Sequence, residues 1–484
     1  MFDGGIVGIY LLATMTVGLM VRKYVGKVEH FIVAGREVNV YLGIASLAAT
    51  EFGIVTCMYT AQNGYKYGFA GATPGIIYAL AMGIVGLTGF CIKPMREAGV
   101  MTIPELFEKQ FGPRIRWLAG VVIVLGGLLN MGVFLRMGGE FLVNVAGLNT
   151  GYLEITMTGL LLLVAVYTIL GGMLSVLVTD FLQFVVMSAG LLVVTVLILS
   201  QVGWQTITDT VQTHCGSGGF NPFIHNDLGW PYIVFNLLTC TAAVLTWQTM
   251  VQRLLASRDS RTARKVYTRT GFFFVCRFLL PGIWGIAALA VLGPQQNDLL
   301  AMPKYLSTHV PIGLMGILIA AMLAADMSTN SSYMLSWGSV IYNDILRPIH
   351  RGLWTDRRGL LCNRLIVAAI GIFLLLFGLW YPLEEDLWVY LNLTGAIYFS
   401  SISMLLIACC YWKRANNWGA AGAIIFGAAI PIAFLVLQQV PATKHYADRI
   451  GPYYSGIAAF GIAALAMMVG SLIKPRSRTG VMER

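Results

Sequence analysis

Charge is scarce in this sequence. Asp, Glu, Lys and Arg make up 11% of the 484 residues and hydrophobic residues 57%, far from the balance of a water-soluble domain. No long polar stretch remains to build a second, soluble domain. Cysteine is sparse as well. Most of the eight lie in apolar runs and Cys215 alone falls in an evident outside loop, which excludes a disulfide framework. The six histidines are scattered through loops and ends. No nucleophile–base arrangement, metal-ligand spacing or phosphate-binding loop stands in a supporting context, so an enzyme is the least expected class.

Long apolar runs fill the space. They cover residues 4–21, 41–61, 71–92, 117–145, 154–171, 174–200, 230–250, 271–293, 310–336, 361–381, 387–411, 417–438 and 453–473. Each is long enough to span a bilayer, so the expected fold is an all-α integral membrane protein of about thirteen helices. The first run opens Met-Phe-Asp without a basic flank, the mark of a retained helix and not of a cleaved signal.

With the N-terminus outside, 26 of the 32 basic residues fall on the cytoplasmic side, among them Arg253, Arg351, and Lys474, Arg476, Arg478 and Arg484 of the tail. Only Lys66, Lys304, Lys444 and Arg449 fall outside, and Arg136 and Arg277 lie inside helices. This is a strong positive-inside pattern. It explains the net charge of +10 by orientation in a cell membrane, with no need for nucleic acid.

Polarity inside the runs points to function. Near residue 325 the chain reads AADMSTNSS, four hydroxyls and a carboxylate at bilayer depth. Ala325, Ser328, Thr329 and Ser332 share one helix face at i, i+3, i+4 and i+7, and Asp326 lies about 100° around from Ala325. Hydroxyl and carbonyl oxygens are hard ligands suited to sodium. The alternative is that each hydroxyl bonds back to the carbonyl one turn earlier. Ionisable residues within the runs are Glu51, Arg136, Glu140, Asp180, Arg277 and Asp326, each expensive in lipid. Arg136 and Glu140 stand four apart and are placed to neutralise each other. Glu51 sits in SLAATEFGIVT, where Gly53 and flanking threonines suggest a helix break that exposes backbone groups at the midplane.

In this order, EHFIVAGREV, GGMLSVLVTDFLQ, QRLLASR, AADMSTNSS and YWKRANNWGA resemble the sodium/solute symporters, the group of the bacterial proline and sodium–galactose transporters and the human sodium–glucose carriers. The resemblance implies an inverted-repeat, LeuT-like core in which helices 2–6 and 7–11 form two halves, each beginning with a discontinuous helix. The expected division is a single transporter domain with an extra N-terminal helix at 4–21, a core at 41–411 and two C-terminal helices at 417–473.

The resemblance also assigns residues. It implies a first sodium held by Ala49, Phe52 and Ala325 through backbone carbonyls and by Ser328 and Thr329 through hydroxyls. A second sodium would use Asp180, Ser331 and Ser332, sharing Ser328. For the solute it points to Glu51, Trp247, Gln248, Arg277 and Asn392, and to Arg136, whose guanidinium suits a carboxylate unless it pairs with Glu140 or Glu51. Asp326 departs from the family pattern and has no assigned role. The expected function is sodium-coupled import of an organic acid, amino acid or sugar by alternating access. Its partners are sodium, solute and lipid, with no obligate protein partner. The rivals are a passive channel and a transporter-like sensor.

Overall fold

The computed structural model describes residues 2–349, 354–381 and 386–473. Arg351, Lys474, Arg476, Arg478 and Arg484, counted above with the inside charges, lie outside the described residues. The chain is all helical in its membrane part. In order the helices are α1 (Phe2–Val21), α2 (Val40–Thr50), α3 (Ile54–Tyr67), α4 (Thr73–Thr88), α5 (Pro113–Met131), α6 (Phe134–Val145) and α7 (Leu153–Val202), then α8 (Gly229–Thr246), α9 (Gln248–Ala256), α10 (Ser260–Leu292) and α11 (Leu314–Val340). The set ends with α12 (Asp356–Trp380), α13 (Leu387–Tyr411), α14 (Asn417–Gln439) and α15 (Pro452–Ile473).

Among the described residues eleven helical stretches are long and apolar enough to cross a membrane. Thr150–Val202 holds both 154–171 and 174–200, and Ile54–Thr88 joins the end of 41–61 to most of 71–92. Helix α7 has 50 residues and at 1.5 Å per residue would run to about 75 Å, more than twice a hydrocarbon core of about 30 Å. It is interrupted at Gly172, whose φ of 53° and ψ of −151° turn the chain. A side chain there would also strike the ring of Phe31.

Polar side chains set several helix starts. Asn39 accepts the Leu42 amide at 3.0 Å before α2, and Asp386 accepts the Val389 amide at 3.2 Å before α13. Asp259, in the loop before α10, accepts the Thr262 amide at 2.6 Å. That bond to a positive helix end holds its carboxyl below the ordinary carboxylate range.

Helix α11 is the centre of the molecule. Residues 320–340 are all buried, so the helix is surrounded on every side and its apolar stripe disappears. Helix α7 packs along it, and α1 packs on both. On the other side α3 and α4 pack against α10 at backbone distance. A Cβ on Gly285 would collide with the Ala61 carbonyl, and one on Gly64 with the Gly282 carbonyl. Gly285→Val is therefore expected to cost at least about 1–3 kcal/mol and lower the melting temperature of the purified protein. Gly282→Ala, whose Cβ would lie 3.7 Å from the Thr60 carbonyl, is expected to melt as the native chain does.

Two helices are discontinuous, where the resemblance placed them. Helix α2 ends at Thr50 and α3 starts at Ile54 after Gly53. Helix α8 ends at Thr246, and Trp247, with ψ of 114°, leads into α9.

Candidate functional site

A break inside a membrane frees backbone groups that something must satisfy. At the α2–α3 break the partners come from α11 and α10. Ser328 Oγ donates to the Ala49 carbonyl at 2.9 Å and to its own-helix Ala325 carbonyl at 2.9 Å. Thr329 Oγ1 donates to the Thr50 carbonyl at 3.0 Å, and its side chain lies directly against Gly53. The Glu51 carbonyl accepts from Arg277 Nη1. The carbonyls of Ala49, Thr50 and Ala325 and the hydroxyls of Ser328 and Thr329 thus meet at the break, with Phe52 buried in the same stretch. These five oxygens are hard and carry no charge.

The second group of expected ion ligands is arranged differently. Asp180 Oδ2 accepts from Ser46 at 2.5 Å and from Thr50 at 3.4 Å. It also forms an ion pair with Arg253 Nη2 at 3.2 Å, with both side chains at 0% exposure. Ser332 Oγ is bonded to Arg253 and lies 2.9 Å from Thr50 Oγ1. Ser331 turns back to the Ser328 carbonyl at 3.1 Å. This corrects the expectation for Arg253. It is no loop residue: α9 continues past the Trp247 break and carries the guanidinium into the protein interior.

Thr329 also lines a cavity of about 60 Å³, room for a few waters. Of the solute residues expected from sequence, Glu51, Trp247, Arg277 and Asn392 line it. Arg277 is held by many partners. Its Nη2 donates to Tyr59 Oη at 3.2 Å, its Nη1 lies 3.7 Å from Glu51 Oε2, and its guanidinium packs 4.3 Å from the Phe274 ring centroid. Glu51 Oε1 in turn accepts from Thr249 at 2.6 Å. Trp247 donates to Tyr333 Oη at 3.1 Å and lies parallel to Tyr398 at 5.9 Å.

Two of the residues expected for the solute lie elsewhere. Arg136 does not line the cavity. It pairs with Glu140 at 2.9 Å, the neutralising arrangement their spacing allowed, and donates to the Gly378 carbonyl at 3.1 Å. Gln248 is wholly buried beside the break and also lies outside the lining. Asp326 is buried facing Gly138 of α6, away from the cavity lining. Its Oδ2 has no hydrogen-bond partner among the described residues.

Other lining residues escaped sequence reading. Asn130 points its amide at the Leu391 carbonyl, 2.7 Å away, and at Thr394, and Tyr59, Tyr78, Tyr333 and Trp388 supply aromatic walls. Lys66 pairs with Asp386 at 3.0 Å and Asp298 at 3.6 Å. The pairs join the end of α3 to the start of α13 and to the segment after α10.

The model of the sodium:solute symporter family matches residues 31–427. The chain is 26% identical over 484 residues to the sodium/glucose cotransporter 4 of Mus musculus, covering 90% of this chain and 69% of that one. It is 26% identical to a sodium/mannose cotransporter of Bos taurus, covering 98% and 87%. Among solved structures it is similar in fold to a substrate-bound, outward-open Na+-coupled sialic acid symporter, with a TM-score of 0.79, 19% identity, and coverage of 98% of this chain and 99% of that one.

Proposed function

Since the chain belongs to the sodium:solute symporter family, we propose that it imports a small polyhydroxy solute together with sodium, from the outside of a cell membrane into the cytoplasm. Sodium-coupled symport is the activity of the family; it moves its cargo without a covalent step, so the protein is a transporter and not an enzyme. The solute, the site residues and the orientation are this reading's own.

One observation carries it. Ser328 and Thr329 of α11 are bonded to the freed carbonyls of Ala49 and Thr50, and the next residue, Glu51, lines the cavity. Ion site and solute site therefore share one piece of backbone. Sodium bound by the carbonyls of Ala49, Phe52 and Ala325 and the hydroxyls of Ser328 and Thr329 orders the α2–α3 break, and the ordered break completes the solute cavity. Binding of either ligand lowers the cost of binding the other. Each sodium entering down a 100 mV inside-negative potential supplies about 2.3 kcal/mol.

A polyhydroxy solute suits the lining. Asn130 and Asn392 offer amide oxygens, and Trp247, Trp388 and Tyr78 offer flat apolar faces. The Glu51–Arg277 pair presents an acceptor and donors with no net charge. The relatives named for glucose and mannose support the same class. Loading and release by alternating access require α2–α3 and α8–α9 to rock against the helices around α11. The reading keeps the thirteen-crossing topology with the N-terminus outside, and a core at 41–411 flanked by the N-terminal helix and two C-terminal ones.

The test is uptake into proteoliposomes across a panel of sugars, polyols, amino acids and organic acids, with and without an inward sodium gradient. Accumulation of a sugar or polyol only with the gradient is expected. Flux indifferent to the gradient would sink the symport reading, and accumulation restricted to acids or amino acids would sink the solute class.

A further inference from the structure

Away from the cavity, one pair of reactive groups has no part in the transport site. Cys91 follows the end of α4 and Cys410 is the last but one residue of α13, yet the fold makes their thiols neighbours. Two further contacts hold the stretches against each other. The Cys91 amide donates to Tyr411 Oη at 3.0 Å, and the Phe90 and Tyr411 rings stack with centroids 5.0 Å apart. Cys91 itself stands at a φ of 57°, a left-handed conformation uncommon for a residue with a side chain.

We propose that Cys91 and Cys410 are a modification site, closed by a peroxide into a disulfide that ties the end of α4 to the end of α13 and stops transport.

Exposure and charge decide which thiol reacts first. Cys91 is 0% exposed, whereas Cys410 is half-buried and lines a surface groove with Lys109 and Lys413. A partly exposed thiol among cationic side chains is the setting of a reactive cysteine. Cys409 lines the same groove but directs its Sγ to the Leu106 carbonyl, 3.9 Å away. A peroxide in the groove therefore meets Cys410, with Cys91 behind it.

The chemistry balances in two steps. The Cys410 thiolate attacks one oxygen of hydrogen peroxide and breaks the O–O bond. The leaving hydroxide takes up the thiol proton as the first water, and Cys410 becomes a sulfenic acid. The Cys91 sulfur then attacks the Cys410 sulfur, and the hydroxyl leaves with the Cys91 proton as the second water. A dithiol reverses the bond by exchange.

Both joined helices carry cavity walls, Tyr78 on α4 and Leu391, Asn392 and Phe399 on α13. A bond between their ends stops those walls from parting there, which closes the release side in the orientation proposed above. That side is cytoplasmic, where thiols are kept reduced, so the bond marks oxidation and is not a permanent staple. The effect on transport rests on the proposed function; the bond itself does not. The bland alternative is that both thiols serve only as small apolar side chains, and such thiols stay reduced.

The experiment treats the full-length protein in proteoliposomes with hydrogen peroxide, blocks remaining thiols with N-ethylmaleimide and reads the unreduced digest by mass spectrometry. A Cys91–Cys410 linked peptide is expected, and dithiothreitol should remove it. Cys409→Ser is expected to keep the link and Cys91→Ser to lose it. Free Cys91 and Cys410 thiols after treatment would overturn the proposal, and so would a Cys91–Cys409 link. Both results come from the native chain and need no variant to fold. In parallel, gradient-driven uptake of the sugar or polyol found by the solute panel should be lost with peroxide and return with dithiothreitol. In Cys91→Ser it should persist through peroxide. Linked protein that transports at the native rate would overturn the control of transport. Absence of gradient-driven uptake before any oxidation would instead sink the symport reading, and the linked peptide would still be expected.

Discussion

Replacing Ser328 and Thr329 together with alanine is expected to abolish sodium-driven accumulation while leaving the protein folded. The two hydroxyls are the only side-chain donors in the proposed ion site, and each also ties α11 to the α2–α3 break at 2.9 and 3.0 Å. Removing groups that merely orient a metal ligand weakens binding 10–100-fold, so loss of two direct ligands is expected to weaken sodium by at least about 100-fold. The cost in stability is smaller, about 1 kcal/mol per neutral hydrogen bond. Ser403 is the control. Its hydroxyl bonds only within α13, to the Phe399 carbonyl at 2.6 Å and the Ser400 carbonyl at 3.5 Å, and Ser403→Ala is expected to transport normally. Sodium concentration curves of initial uptake read the difference, and an unchanged curve for the double variant would refute the ion site.

Arg277→Met is expected to do the widest damage of any single change in the cavity. It strips Glu51 of the cation 3.7 Å away and leaves its carbonyl only the long 3.4 Å bond from the Thr56 hydroxyl. Removing one partner of a buried pair costs about 3–5 kcal/mol, enough to unfold a marginal protein. Adding Glu51→Gln removes the orphaned charge, so the double variant should regain most of the lost thermal stability. Uptake should stay absent, because the cavity then lacks both the acceptor and the donors that face the solute. Thermal unfolding and initial uptake separate the two effects. A double variant that transports as the native chain does would show that the pair only supports the fold.

How much of this could be read from the residues depends on what each residue had beside it in sequence. The hydroxyl cluster that meets the α2–α3 break was legible because its hydroxyls recur at helical spacing within nine residues, and polarity at that depth has few explanations. The α2–α3 break was legible because Glu51 and Gly53 interrupt an apolar run. Arg136 was placed with the solute although its neighbour four residues on, Glu140, already answered its charge. Arg253 was missed for a different reason. It opens a stretch dense in basic residues, and a rule that counts charges by loop cannot see that α9 runs on as a buried helix after Trp247. Gln248 and Gln252, fully buried on the same short helix, were the available sign. The aromatic walls were missed because Tyr59, Tyr78 and Trp388 look like ordinary core residues until distant helices close the cavity around them.

The glycine contacts between α3 and α10 have a mechanical consequence. Where Gly285 meets Ala61 and Gly64 meets Gly282, backbone rests on backbone with no rotatable side chain between. Such a joint has little slack, because its surfaces carry no χ angle that can yield under load. A torque applied at one end of α10 is therefore delivered at the other as displacement and is not absorbed in repacking. Helices α3 and α10 are expected to move together, with the unwound stretch at Glu51–Gly53 as the place where the chain bends.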